Sequence, residues 1–160
     1  MLGLTPLGAL HTVLSVVALV AGGWILVRDR GLPALNRLGL VYLVTTALVA
    51  ATSLAIFQRG GFGLGHRMAV ATLAALAVFL VSARTRLLGR ASPYVGAAAF
   101  SLTLLLHLVA GAAETLTRLP PGAPVLHPGN FAVFGTIVDA LTLLFLAGVA
   151  AQFYGIARRR

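Results

Sequence analysis

Five apolar stretches, each long enough to cross a bilayer, take up nearly all of this 160-residue chain, so lipid is the solvent its fold must answer to. They cover about residues 6–27, 38–57, 66–83, 93–118 and 131–157. A span needs about 20 mostly apolar residues, rising 1.5 Å each, to cross ~30 Å of hydrocarbon. The breaks between them, about 8–12 residues long, leave no room for a second domain. Residues 1–160 therefore read as one all-α transmembrane domain of five helices.

Composition agrees. Only 9% of residues are charged, against about 25% in soluble domains, so a water-facing surface could not be assembled. The five stretches are apolar on every side, where a soluble bundle would show one stripe per helix. Cysteine is absent, which excludes disulfides and thiolate chemistry.

All twelve basic residues are arginine, and the net charge is +9. Arg28, Arg30, Arg37, Arg84, Arg86, Arg90, Arg158, Arg159 and Arg160 share one side of the alternating spans. Arg59, Arg67 and Arg118 fall on the other. Cytoplasmic loops carry the basic excess, which places the N-terminus outside and the C-terminus inside. On this reading the charge reports orientation, the bilayer is the partner, and no nucleic acid is expected. Met1–Pro6 lacks the basic n-region of a signal peptide, so the first stretch reads as a retained span. Lysine-free, arginine- and alanine-rich usage points to a bacterial inner membrane.

The breaks have readable chemistry. Pro6 and Pro93 fall in first helical turns, where proline is tolerated. Gln58–Gly65 is glycine-rich but has neither the Gly-x-Gly-x-x-Gly order nor a following Lys-Ser/Thr, so it is not a phosphate loop. Four prolines between Pro120 and Pro128 stiffen the last loop, where His127 reads as a turn residue. No internal repeat supports an inverted-repeat transporter. Ala47, Ala51 and Ala55, and Ala147, Ala151 and Gly155, form small-residue stripes that let helices approach within the bundle or across a homodimer face.

The polar residues inside the spans are few. An ionisable group in lipid costs at least ~2.5–3.5 kcal/mol on insertion scales, so such groups normally face a bundle interior. His11, Ser15, Ala18 and Gly22 share one face of the first span, and Thr103, His107, Gly111 and Glu114 one face of the fourth. Thr136, Asp139 and Thr142 follow at steps of three in the fifth. Counted inward from the outer ends, His11 and Glu114 lie within about two turns, His66 at the boundary, and His107 and Asp139 roughly 13–18 Å down. The expectation is one outward-opening pocket lined by His11, His66, His107, Glu114 and Asp139.

Two imidazoles on facing helices can ligate haem b, with His11 paired to His66 or His107 and Arg59, Arg67 or Arg118 on the propionates. His11, His66 and Glu114 are also the residue types that hold a divalent metal. The same groups could relay protons or pass a small solute, or only fix helix register in a structural subunit of a larger complex. No nucleophile elbow surrounds Ser15, Ser53, Ser82, Ser92 or Ser101, and no His-Glu-x-x-His occurs, so hydrolysis is not indicated.

The run Gly60-Gly61-Phe62-Gly63-Leu64-Gly65-His66-Arg67 and the stretch from Ala110 to Pro120 resemble motifs of a bacterial family of small multi-span membrane proteins of unknown function. Leu10-His11 and Gly22-Gly23 in the first span fit the same pattern. The similarity covers about residues 8–120. It departs at Ser92-Pro93-Tyr94, where such relatives often carry a histidine and aromatics. The resemblance implies a multi-span inner-membrane protein and marks His11, His66 and Glu114 for testing, with no activity attached.

Overall fold

The computed structural model describes residues 5–29, 36–57, 61–85, 87–127 and 130–159. Residues 1–4, Arg30, Gln58, Arg59, Gly60, Arg86, Pro128 and Arg160, which the leader, loop and charge readings use, lie outside the described residues. The chain is all-helical there: α1 (Pro6–Arg28), α2 (Arg37–Leu54), α3 (Leu64–Arg84), a 3₁₀ turn (Gly89–Ala91), α4 (Ser92–Leu116) and α5 (Phe131–Arg158). All five α-helices are long and apolar enough to span a membrane.

Local chemistry starts the first three helices. Thr5 Oγ1 accepts the Gly8 N–H at 3.1 Å, with Pro6 in the first turn of α1. Asn36 Oδ1 does the same for Gly39 at 3.0 Å in α2. In α3 the cap is His66, whose Nδ1 accepts the Gly63 N–H at 3.2 Å. Gly61 just upstream has φ +55°, a conformation that favours glycine. At the opposite end of α1, Arg28 grips Asp29 through two bonds of 2.6 and 2.7 Å and holds that carboxyl below the usual carboxylate range.

Two boundaries differ from expectation by a few residues. Helix α2 stops at Leu54 rather than Phe57, because the chain turns to lay the Phe57 ring 4.5 Å from that of His66. Helix α4 ends at Leu116, and the proline-rich loop folds back on it. The Leu126 N–H bonds the Leu116 carbonyl at 2.8 Å, and Leu126 is buried.

Helices α1 to α4 form the bundle, with neighbours in sequence packed together and α1 also touching α4. Lipid tails are as apolar as leucine, so cohesion comes from close packing and interhelical polar bonds. The core holds Tyr42, Phe79 and Phe100, with ring centroids 4.9 Å apart for Tyr42–Phe100 and 6.0 Å for Phe79–Phe100. The Tyr42 hydroxyl is hydrogen-bonded to Thr103, and both residues are fully buried. Gly22 lets α1 approach this layer. A Cβ there would lie 2.5 Å from Leu104 Cδ2 and 2.7 Å from Tyr42 Cε2.

Helix α5 packs on α4, chiefly through its C-terminal half. Gln152 Nε2 donates to Ser101 Oγ at 2.9 Å, Phe153 meets Tyr94 edge-on at 5.2 Å, and Ile156 is buried. The small-residue stripes contribute little to this packing: Ala51, Ala55, Ala147 and Ala151 are exposed, and Ala47 and Gly155 are half-buried.

Candidate functional site

Above the aromatic layer the helices enclose a cavity of about 560 Å³, in the half of the bundle that holds the start of α1 and the end of α4. All five helices contribute to its wall, which is mostly Ala, Gly, Leu, Val, Ile and Met. The polar exceptions are His11, Thr12, Ser15, Ser53, Thr72, His107, Glu114 and Thr115.

The hydrogen bonds fix the form of each histidine. His107 Nδ1 lies 2.9 Å from the Thr103 carbonyl, one turn back along α4. A carbonyl only accepts, so Nδ1 carries the proton and Nε2 the lone pair. That Nε2 is buried without a partner, and the whole residue is only 7% exposed. His11 Nδ1 lies 2.8 Å from Thr52 Oγ1. The Thr52 hydroxyl has one proton, directed at the Leu48 and Val49 carbonyls at 2.8 and 3.0 Å, so its oxygen accepts from His11. Both imidazoles therefore carry their lone pair on Nε2, which in His107 is buried without a partner, while the His11 ring also lies in hydrogen-bond reach of the Val49 carbonyl. His11 is also within electrostatic reach of His107 and Glu114.

Glu114 sits in the last turn of α4, the unfavourable end of the helix dipole for an anion. Arg118 offsets this through Nε and Nη2 bonds of 2.8 and 2.7 Å to Glu114 Oε2. Glu114 marks the end of the cavity nearest the loops.

His66 stands apart. Its Nδ1 accepts, so the proton is on Nε2, the reverse of the other two histidines. That nitrogen is buried without a partner, and the ring lies between Phe57 and Phe62 at 4.5 and 5.0 Å. Its neighbours Gly65, Met68 and Ala69 line the cavity, and His66 itself does not. Among the described residues, no three of His, Asp and Glu gather to hold a metal ion. The set His11, His66 and Glu114 is thus not assembled.

Asp139 does not reach the pocket either. Ile137 and Leu141 of α5 line it, and Asp139 lies about 200° around the helix from each. It is exposed on the outer face, with Thr136. The step-of-three stripe was legible, but α5 presents its apolar side inward. Sequence reasoning also missed Thr52 and Tyr42. Two polar side chains at similar depth on adjacent antiparallel helices were the available signal for His11–Thr52. Compared with known protein families, curated proteins and solved structures, the chain matches none.

Proposed function

We propose that this multi-span membrane protein binds haem b in its bundle cavity, where His107 and His11 would hold the iron, in a bacterial inner membrane with the N-terminus outside. The observation that carries the reading is the buried, unpartnered Nε2 of His107. Such an atom in a native interior calls for an explanation, and a lone pair whose ring is oriented by a backbone carbonyl is the usual form of a metal-ligating histidine. His11, whose Nδ1 donates to Thr52, lines the same cavity.

The volume falls within the ~300–1,000 Å³ of cofactor sites, and bundle interiors commonly hold them. Haem needs one or two imidazoles where a bare divalent ion needs a fuller set, so the absence of a three-ligand cluster favours haem over metal alone. The side chains now covering His107 Nε2 would give way to the ring. Arg118, one turn beyond Glu114, would meet a propionate. Haem held by two imidazoles supplies one-electron chemistry. The outward Asp139 supports one addition: α5 packs on a further membrane helix, from a second copy or a larger complex, because an acid facing lipid is costly.

Titration of haem into the purified protein in mild detergent tests this. The expected result is one equivalent bound, with a sharp Soret band and split reduced peaks, and no saturable binding in a His11→Ala/His107→Ala double variant. Equal uptake by both proteins overturns it.

A further inference from the structure

The cavity is not closed on its membrane side. Helix α1 packs on α2 and touches α4, α5 packs on α4, and among the described residues α1 and α5 do not pack closely on each other. Lining residues there are exposed, Val16 at 55% and Leu108 at 43%, with Leu141 half-buried. Toward the loops Thr12, Gly65, Glu114 and Thr115 are exposed as well, so the cavity has both a membrane-side and a loop-side opening. Leu108 lies about 100° around α4 from His107, so the wall turns from interior to bundle surface within one residue.

The depth of the membrane-side opening is set by counting residues. Val16 is ten positions into α1, Leu141 ten into α5, and Leu108 eight from the end of α4. At 1.5 Å per residue these lie about 12–15 Å from their helix ends, inside ~30 Å of hydrocarbon. The opening meets lipid tails, whereas the charged pair Glu114–Arg118 sits nearer the loops.

We propose that the cavity takes its ligand sideways from the bilayer, through a portal between α1 and α5 bounded by Val16, Leu108 and Leu141. The ligand class is a membrane-dissolved amphiphile whose apolar body passes between the helices while its charged end stays level with Glu114 and Arg118. Applied to haem, this rests on the reading above. The portal itself does not.

Two measurements test it. Vesicles preloaded with haem b are mixed with the full-length protein in proteoliposomes, and loading is followed at the Soret band. Val16→Trp and Leu141→Trp are expected to slow the loading rate constant about tenfold, the effect of one added barrier of ~1.4 kcal/mol. Unaltered rates overturn the portal.

The second measurement needs no haem. The chain has no cysteine, and a Cβ at the cavity residue Gly111 meets no atom within 4 Å. A nitroxide on Gly111→Cys is expected to relax with bilayer-dissolved oxygen and to be shielded from a water-soluble nickel chelate. Stronger relaxation by the chelate means access through the loop-side opening, and the portal is rejected. A protein that takes up no haem but shows oxygen access loses the haem reading and keeps the portal.

Discussion

Replacing His107 by leucine is expected to abolish haem binding without lowering the stability of the ligand-free protein. Losing even an outer-shell partner costs about 10–100-fold in metal affinity, and His107 is a direct ligand, so the loss is at least about 100-fold. Stability should move the other way. In the ligand-free chain the imidazole has one bond, to a carbonyl already in the helix ladder, and leaves Nε2 buried without a partner. An unsatisfied buried polar atom costs about 1–3 kcal/mol, which an apolar side chain of similar size removes. Thermal unfolding in detergent, read beside the haem titration, checks both halves. A His107→Leu protein that unfolds well below the parent would mean that the residue is structural.

The second large effect concerns Gly22. An added methyl would stand within 2.7 Å of both Leu104 and the Tyr42 ring. The leucine tip can move, but Tyr42 is held by Thr103 and packed at a tilt against Phe100. Overpacking of this kind costs about 1–3 kcal/mol for Gly22→Ala, and Gly22→Leu should exceed that range. Gly23 is the internal control, because nothing lies within 4 Å of a Cβ there. Gly23→Ala should be neutral or gain up to ~1 kcal/mol of helix propensity. Denaturation midpoints in mixed micelles compare the pair, and equal midpoints would contradict the close α1–α2–α4 approach.

Much of the architecture is legible because lipid leaves few options. Backbone groups in hydrocarbon must bond within their own segment, so an apolar run of this length is a helix, and the five runs place α1 to α5 within a few residues. Which face of each helix turns inward is legible only where small and polar residues share that face. In α1, Ala18 and Gly22 are buried, with Ser15 in the cavity wall, and in α4 Thr103 and His107 are buried on one side. In α5 the rule misleads. Its docking depends on Gln152, Phe153 and Ile156 at the far end, and the rotation they impose turns Asp139 outward. His66 is hidden for another reason. A histidine at the third helical position can cap the backbone as glutamate does, and spacing alone cannot separate a cap from a ligand.

Haem ligation in this cavity turns on which ring nitrogen carries the proton. Nitrogen-15 NMR of histidine-labelled protein in nanodiscs reads this directly, before and after haem. The expected result is Nδ1–H with an unprotonated Nε2 for His11 and His107, Nε2–H for His66, and a haem-induced change confined to the first two. An Nε2–H tautomer at His107, or a His107 signal indifferent to haem, would contradict it.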